Sequence, residues 1–326
     1  MSSADSPDNS PPSGLTPLLV ETPDVRWQGW ASPPEDLTIS TEEPPVLLLL
    51  HGTGGSRISW RPTLEALMPL MAAPPAAAAR WRVIAPDLPG HGATCCRRHE
   101  RHGLREMAED VEALLERLGV GHVALAAGHS AGAAVAIWLA HLTEGHESGR
   151  VRGVLGIAPS LVPPPAIYNL LLGPVLAPLF ASRPSTVGIT ALARRSALID
   201  WLINSTGSQI PAKQLRDYRA LFSHEEHIRG AMDFMAATDL PALLSRAPTL
   251  RARLSLLIAD DDRWIPAGAL RRIATLHYPG AQVEHTTGGH LVQESRPRRV
   301  AELIMALHPK VSYPADPAPP AGTTDE

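Results

Sequence analysis

Cysteine is rare in this chain, with two copies among 326 residues. The two are neighbours, Cys95 and Cys96, and a disulfide between adjacent residues is strained and rare. A disulfide framework is therefore excluded, which favours a reducing compartment. The segment Met1-Ser2-Ser3-Ala4-Asp5 has no basic start and leads into no apolar run, so no secretory signal is recognised. We expect a cytoplasmic protein.

Long apolar runs and a large charge of one sign are also missing. No uninterrupted stretch reaches the roughly 18 apolar residues typical of a membrane-spanning helix, so none is predicted. The formal net charge is −4, and without a broad basic surface we expect no nucleic-acid partner. One local group of positive charges is typical of a solvated face, although it would also suit an anionic substrate or membrane headgroups: Arg97, Arg98, Arg101 and Arg105.

The most informative segment that the chain does contain is Gly128-His129-Ser130-Ala131-Gly132, a G-x-S-x-G pentapeptide. It follows Val123–Ala127, typical of a buried strand, and precedes Ala133–Ala140, typical of a helix. Ser130 is therefore predicted on a tight strand-to-helix turn, in a strained conformation that exposes its hydroxyl. Gly128 and Gly132 fit this turn because larger side chains there would collide with the strand and the helix. A chance match is the alternative.

A nucleophilic serine needs an imidazole to take its proton and a carboxylate to orient that imidazole. Three consecutive aspartates, Asp260–Asp262, follow the apolar run Leu254–Ile258. His290 comes later, after Gly288 and Gly289 and behind the last predicted strand. His285 lies on that strand, and His129 more plausibly packs beside the serine turn than acts as the base. The order serine, aspartate, histidine therefore predicts His290 as the general base.

Two backbone N–H groups are needed to stabilise the negative charge that develops on the substrate oxygen. The predicted strand Val46–Leu50 ends in His51-Gly52-Thr53-Gly54-Gly55, whose glycines let the backbone turn toward a ligand. Thr53 and Ala131 are the predicted donors, with His51 and Gly52 supporting the loop. A phosphate cradle or a flexible turn is the other interpretation, but no Lys-Ser or Lys-Thr follows, which argues against a P-loop.

Taken together, these motifs resemble the α/β-hydrolase superfamily over nearly the whole chain. The matching segments are His51–Gly55, Ala85–Gly92, Gly128–Gly132, the Asp262 turn and Gly289-His290. The spacing from Asp262 to Pro266 resembles the D-x-x-x-P pattern of that superfamily, so Asp262 is the predicted acid and Asp260 the alternative. Ala259 stands where the superfamily pattern has a glycine.

Finer features resemble a narrower family, the accessory proteins of bacteriochlorophyll biosynthesis that are associated with magnesium chelatase. These features are the alanine after Ser130, the segment Ser205–Ser208, Tyr218-Arg219 and His227–Met232. The resemblance implies action at or near the magnesium chelatase step, with a small apolar or tetrapyrrole-like substrate and chelatase subunits as partners. Residues 72–79 and 95–98 depart from the family pattern.

Strand and helix patterns alternate, which predicts an α/β fold with a mostly parallel sheet and helices on both faces. The predicted strands are Val46–Leu50, Arg82–Pro86, Val123–Ala127, Val151–Ala158, Leu254–Ala259 and Gln282–Thr286. The predicted helices lie near 60–71, 105–118, 130–142, 266–276 and 296–308. The resemblance implies the α/β-hydrolase fold, with a sheet of the eight-stranded type and an inserted helical cap.

The predicted core comprises residues 19–158 and 240–309, between flexible tails at 1–18 and 310–326 that are rich in Pro, Ser and acidic residues. Residues 159–239 are predicted to form the helical cap. Its apolar side chains would mainly pack on the core, while some line an apolar pocket or make peripheral contact with a membrane: Leu170, Leu171, Leu172, Val175, Leu176, Leu179 and Phe180.

No cofactor or metal is expected. His224, Glu225, Glu226 and His227 have metal-ligand side chains, but we expect them to cover the surface of a cap helix. The leading hypothesis is a serine hydrolase acting on an ester, thioester or amide through an acyl-enzyme. The alternatives are a non-catalytic accessory protein that binds a tetrapyrrole or docks on the chelatase, and a general carboxylesterase or lipase-like hydrolase.

Overall fold

The computed structural model describes residues 8–33, 44–73, 81–96, 103–144, 151–162 and 196–312. Within these residues nine strands form one sheet, in the order β1-β2-β4-β3-β6-β7-β8-β9, with β5 paired to β2. The strands are β1 Thr16–Glu21, β2 Val25–Ala31, β3 Val46–Leu50, β4 Arg82–Pro86, β5 Cys95–Cys96, β6 Val123–His129, β7 Val151–Ile157, β8 Arg253–Ala259 and β9 Gln282–Thr286. All pairs from β4 to β9 along the sheet are parallel, whereas β2 pairs antiparallel with β1, β4 and β5.

Helices cover both faces of this sheet. They are α1 Arg61–Ala72, α2 Leu104–Arg117, α3 Ala131–Leu142, α4 Ser196–Ser205, α5 Ala212–Leu221, α6 Glu225–Ala237, α7 Leu240–Ser245, α8 Ala267–His277, α9 Val292–Ser295 and α10 Pro297–Ser312. Short 3₁₀ helices span Arg57–Trp60 and Ala247–Thr249. Among the described helices, none combines the length and the apolar character needed to cross a membrane.

The central strand β3 shows why both faces are covered. Because successive side chains of a strand point to opposite faces, an all-apolar strand needs a core on each side. Leu48 and Leu50 pack into the cluster that contains α2 and α3, while Leu47 and Leu49 pack into the cluster that contains α1 and α10. All four leucines are fully buried. The sheet is therefore the middle layer of three, and its carboxyl edge stays free for loops.

The α/β-hydrolase fold predicted from the sequence is shown by this architecture. Each of the six predicted strands is present, with bounds that differ by at most two residues. The sequence patterns missed β1, β2 and the two-residue β5. The predicted sheet of the eight-stranded type is observed as a mixed sheet of nine strands in the described chain.

The predicted flexible tail over residues 1–18 is wrong where β1 begins at Thr16. Leu15 and Leu18 are buried in the core, which explains why this Pro- and Ser-rich segment is held down. Before the strand, Trp30 Nε1 donates to the Asn9 carbonyl at 3.2 Å and Arg61 Nη2 donates to the Asp8 carbonyl at 2.8 Å. At the other end α10 continues to Ser312, beyond the predicted end of the core at 309. Residues 1–7 and 313–326 lie outside the described chain.

The insert, residues 159–239, contributes helices α4, α5 and α6 to the described chain between β7 and β8. Its apolar cluster contains Ile199, Ile203, Tyr218 and Ile228, and it closes on Leu291 of the core. The apolar side chains predicted to line a pocket, from Leu170 to Phe180, lie outside the described residues. Arg97, Arg98 and Arg101 lie outside them as well.

Candidate active site

Ser130 lies between the end of β6 and the start of α3, and its backbone is strained as the sequence predicts. Its φ is 52°, in the region that residues other than glycine rarely adopt. A Cβ atom on Gly128 would lie 2.3 Å from the carbonyl oxygen of Gly132, and one on Gly132 would lie 2.3 Å from that of Leu50. The two glycines therefore let strand, turn and helix approach closely enough to present the serine at the carboxyl edge of the sheet.

A chain of hydrogen bonds joins Ser130 to His290 and His290 to Asp262. These are the three residues that the sequence motifs predict as the catalytic candidates. His290 Nε2 is 2.9 Å from Ser130 Oγ, and His290 Nδ1 is 2.8 Å from Asp262 Oδ2. Because the carboxylate can only accept, Nδ1 carries the proton and Nε2 accepts from the serine hydroxyl. His290 and Asp262 are buried and Ser130 is half-buried. This arrangement can take a proton from Ser130 and stabilise the imidazolium that results.

The three consecutive aspartates have three different environments. Asp262 also accepts through Oδ1 from the N–H groups of Trp264 at 2.7 Å and Ile265 at 2.9 Å, which holds its carboxylate toward His290. Asp261 Oδ1 accepts from the N–H groups of Gly288 at 2.8 Å and Gly289 at 2.9 Å. These bonds and the charge of Arg296 lower the pKa of Asp261, against the opposing effect of its burial.

Asp260 points elsewhere, to the surface. Its carboxylate is 2.9 Å from His285 Nδ1 and 3.3 Å from Arg271 Nη1, and all three side chains are substantially exposed. Asp260 therefore does not contact His290, whereas Asp262 does. His285 likewise faces solvent with Asp260 rather than the serine.

The first glycine loop, residues 51–55, lies directly against the serine. A Cβ atom on Gly52 would come within 2.9 Å of Ser130 Cβ. Thr53 is half-buried beside it, and Gly54 has a φ of 72° that turns the chain back. Ala131 begins α3, so its N–H is among those at a helix start that have no partner within the helix. The loop and the helix start thus both adjoin Ser130, and the N–H groups of Thr53 and Ala131 are the candidate oxyanion donors.

His51 is a fully buried side chain that supports this loop. Its Nε2 accepts from the N–H of Leu88 at 2.9 Å, so Nδ1 carries the proton of the neutral ring and donates to the Gly52 carbonyl at 2.9 Å. Burial lowers the pKa of His51 to about 3, opposed by its bond to Gly52. The imidazole is therefore neutral at neutral pH and can keep both bonds.

The insert also holds the histidine loop, residues 287–291, in place through hydrogen bonds. The N–H of His290 donates to the Thr206 carbonyl at 3.1 Å, and the N–H of Leu291 donates to Ser208 Oγ at 2.7 Å. A Cβ atom on Gly289 would lie 2.4 Å from the nitrogen of Ser208, so only glycine permits this contact. The sequence motifs do not predict these contacts, although Ser205–Ser208 is among the segments that resemble the narrower family.

Trp264 is a further residue of this site that sequence reasoning left without a role. Its ring lies 5.3 Å from that of His290 between centroids, tilted by 32°, and its Nε1 donates to Ser205 Oγ at 3.0 Å. The indole therefore packs against the imidazole of His290, and its bond to Ser205 of the insert orients it. A bulky apolar side chain here also keeps water from His290.

His227 corrects one sequence expectation. His224 and Glu226 are exposed on or beside α6 as expected, but His227 is buried against the core. Its two ring nitrogens contact the backbone of Gly92 and Gly54, and its ring lies edge-on to that of His91, with centroids 5.6 Å apart. Among the described residues, no group of three or more histidine, cysteine or acidic side chains is arranged to hold a metal ion.

Comparison with known proteins places this chain in a family. The profile of the alpha/beta hydrolase family matches residues 47–303, which include β3 from its second residue, the serine turn, the insert and the histidine loop. The chain belongs to the alpha/beta hydrolase family. It is also similar to the magnesium-chelatase 30 kDa subunit of Rhodobacter capsulatus, with 35% identity over 262 residues, covering 80% of this chain and 86% of that protein.

Solved structures of other proteins show the same fold. The carboxylesterase CesB of Bacillus subtilis superimposes with a TM-score of 0.62 at 18% identity, covering 90% of this chain and 92% of its own. A membrane phospholipase A superimposes with a TM-score of 0.64 at 21% identity, covering 92% and 88%. At these identities the likeness establishes the fold, while the chemistry has to be argued from the residues at the site.

Proposed function

We propose that this protein is a serine hydrolase that cleaves an acyl bond, an ester, thioester or amide, through an acyl-enzyme. The observation that carries the proposal is the hydrogen-bonded chain from Ser130 Oγ through His290 to Asp262, with distances of 2.9 and 2.8 Å. Ser130 sits on a strained turn, next to a glycine loop and a helix start. These are the parts that acyl transfer on a serine requires.

In the proposed reaction Ser130 Oγ attacks the acyl carbon while its proton passes to His290 Nε2. The carbonyl oxygen becomes an oxyanion, which the backbone N–H groups of Thr53 and Ala131 would stabilise. The intermediate collapses as the leaving group takes the proton from His290. Water then attacks the acyl-enzyme with His290 again as base, which releases the acid and restores Ser130. Asp262 keeps the proton of His290 on Nδ1 throughout.

For the biological role, we propose that the protein acts in bacteriochlorophyll biosynthesis, at or near magnesium insertion into a tetrapyrrole. Similarity to the magnesium-chelatase 30 kDa subunit over 80% of this chain supports that context. The same observation also supports a second candidate function, an accessory protein that binds a tetrapyrrole or the chelatase without turnover. A third candidate is a general carboxylesterase outside the pathway, because the same serine, histidine and aspartate would serve either role.

Labelling with a fluorophosphonate tests the chemistry. An activated serine attacks phosphorus, expels fluoride and becomes a stable phosphonyl ester, so the parent protein should be labelled on Ser130. Ser130→Ala should not be labelled, and His290→Ala should be labelled at least about 10³-fold more slowly because the serine loses its base. Absence of labelling in folded parent protein would contradict the hydrolase proposal and favour the accessory function.

Gene deletion with complementation tests the pathway. Loss of the gene should slow conversion of protoporphyrin IX to its magnesium complex, and the parent gene should restore the rate. Complementation by Ser130→Ala separates the first two candidates, because a catalytic role requires the hydroxyl and a binding role does not. A deletion strain with normal pigment would remove the pathway proposal and favour the general esterase.

A further inference from the structure

Two loops of the core lie side by side at the carboxyl edge of the sheet. The first glycine loop follows β3, and the second glycine loop, residues 88–92, follows β4. His51 bridges them by accepting from the N–H of Leu88 and donating to the carbonyl of Gly52. The same two loops are bridged again a few residues further along, by a side chain from a distant part of the chain.

That second bridge is His227, which belongs to helix α6 of the insert. Its Nδ1 accepts from the N–H of Gly92 at 3.0 Å, and its Nε2 is 3.2 Å from the carbonyl oxygen of Gly54. Because a carbonyl can only accept and the Gly92 N–H can only donate, the proton of the neutral ring must be on Nε2. His51 carries its proton on the other nitrogen. Each imidazole nevertheless runs in the same direction, from an N–H of the second loop to a carbonyl of the first.

The two bridges act on the peptide units around Thr53. The carbonyls of Gly52 and Gly54 are each held by one imidazole, and the Gly52 carbonyl belongs to the same peptide plane as the Thr53 N–H. His51 holds the Gly52 carbonyl and so sets the direction of the Thr53 N–H that we propose as an oxyanion donor. His227 holds the Gly54 carbonyl, which shares its peptide plane with the Gly55 N–H. That Gly55 N–H donates to the Gly52 carbonyl at 3.0 Å, so His227 acts on the Thr53 peptide through the peptide between Gly54 and Gly55.

Close packing fixes His227 in place relative to both loops. A Cβ atom on Gly230, one turn along α6, would lie 2.0 Å from the carbonyl oxygen of Gly90. On the other side Phe222 lies against Gly54 and edge-on to the His227 ring, with centroids 5.4 Å apart. Burial lowers the pKa of His227 to about 3, so the ring is neutral at neutral pH and can accept and donate at once.

We propose that His227 is a positioning residue through which the insert holds the first glycine loop in the conformation that stabilises an oxyanion. This inference rests on the proposed serine hydrolase. It makes the oxyanion site a shared product of core and insert: His51 of the core holds the Gly52 carbonyl directly, and His227 of α6 acts on it through the Gly54–Gly55 peptide. The insert then contributes to catalysis as well as covering the site.

The test compares an ester with its thionoester, p-nitrophenyl butyrate and the analogue with C=S in place of C=O. Sulfur is larger and a weaker hydrogen-bond acceptor than oxygen, so the ratio of the two kcat values reports how well the oxyanion donors are aligned. In His227→Phe we expect kcat for the ester to fall about 10- to 100-fold, with KM changed less than about threefold. The oxygen-to-sulfur ratio of kcat should fall at least about fivefold.

Conservative variants show which bond matters. His227→Gln keeps a donor near the position of Nε2 and should recover most of the ester kcat and of the ratio, whereas His227→Asn keeps only the acceptor near Nδ1 and should recover less. His224→Gln is the matched control, because His224 is exposed three residues earlier and should leave both values unchanged. NMR of imidazole nitrogens in ¹⁵N-histidine-labelled parent protein should find His227 neutral with its proton on Nε2 at pH 6.

The outcomes separate this inference from the proposed function. A parent protein that hydrolyses neither substrate overturns the hydrolase proposal itself. An active parent, together with folded His227→Phe that keeps the parent ratio, overturns only the positioning role, even if kcat falls equally for both substrates. If His227→Phe fails to fold, two other results would each overturn the positioning role. One is equal kcat ratios in His227→Gln and His227→Asn, and the other is a proton on Nδ1 of His227 in the parent.

Discussion

His129 donates from Nε2 to the backbone carbonyl oxygen of His290, at 2.9 Å. The residue directly before Ser130 thus holds the loop that carries the imidazole opposite Ser130, and the two histidine rings lie 5.0 Å apart between centroids. Burial, together with the charge of His290, lowers the pKa of His129 to about 3, so this ring is neutral at neutral pH. The serine turn and the histidine loop are therefore linked by a bond that does not involve the hydroxyl.

Replacing His129 should weaken catalysis more than binding. We expect His129→Phe to lower kcat for small activated esters about tenfold with little change in KM, because a loosened His290 loses its alignment with Ser130. Loss of the buried bond should also cost about 1–3 kcal/mol of unfolding free energy. Steady-state kinetics and denaturant unfolding measure the two effects. His285→Gln, exposed on β9, is the control, and parent-like kcat in folded His129→Phe would contradict the link.

The three aspartates should differ sharply when each is changed to asparagine. Asp262→Asn is expected to lower kcat about 10⁴-fold, because an amide no longer favours the tautomer with its proton on Nδ1. Asp260→Asn should stay within about twofold of the parent, since its partners His285 and Arg271 are at the surface. Asp261→Asn should fall between them, because Asp261 shapes the loop that carries His290. Equal losses in Asp260→Asn and Asp262→Asn would refute this assignment.

The glycines of the serine turn should not tolerate alanine. Gly128→Ala and Gly132→Ala place a methyl group 2.3 Å from a backbone oxygen, and backbone cannot move aside as a flexible side chain can. We expect losses of about 3 kcal/mol in unfolding free energy and little activity in what folds. Gly280→Ala is the control, because a Cβ there meets no atom within 4 Å. Thermal denaturation of the three variants checks the prediction, which parent-like stability of Gly132→Ala would disprove.

Stability should peak near pH 6.5. Burial lowers the pKa of His51, His129 and His227 to about 3 from 6.5, so the unfolded chain binds more protons between these values. Each of these histidines therefore lowers the free energy of unfolding by about 1.4 kcal/mol for every pH unit below 6.5. Burial, with the charge of Asp217 adding to it, raises the pKa of Glu294 to about 8 from 4.5, although the Tyr218 hydroxyl opposes the shift. Between these two values the folded chain binds more protons than the unfolded chain. The contribution of Glu294 to stability therefore falls as the pH rises toward 8 and is constant above pH 8.

The variant Glu294→Gln isolates the alkaline side of this profile. An amide can still accept from the Tyr218 hydroxyl, which lies 2.6 Å from Glu294 Oε1, but it does not titrate. Melting temperatures measured from pH 5 to 9 should decline above pH 6.5 in the parent and stay nearly level in Glu294→Gln. Glu302→Gln, exposed on α10, should follow the parent. The same alkaline decline in Glu294→Gln and the parent would show that another group is responsible.

Sequence reasoning could predict the parts of the site that contiguous residues encode. Val46–Leu50 is an apolar strand whatever it pairs with, and Gly128 and Gly132 stand where a strand and a helix converge on Ser130. Such features are local, because side-chain alternation and close backbone approach act over a few neighbouring residues. The fold class and the order of serine, acid and histidine follow from them.

The sequence by itself determined the α/β architecture and the segments that carry the candidate chemistry, because apolar runs and glycine-flanked turns specify their own conformation. Only the tertiary structure decided which aspartate reaches His290, that His129 holds the His290 carbonyl, and that β1 joins the sheet. It also decided that His227 is buried, because its partners Gly92 and Gly54 are 135 and 173 residues away along the chain. The role of His227 depends on the donor and the acceptor that reach its two ring nitrogens, and both come from the core, so they reach it only when the insert docks there.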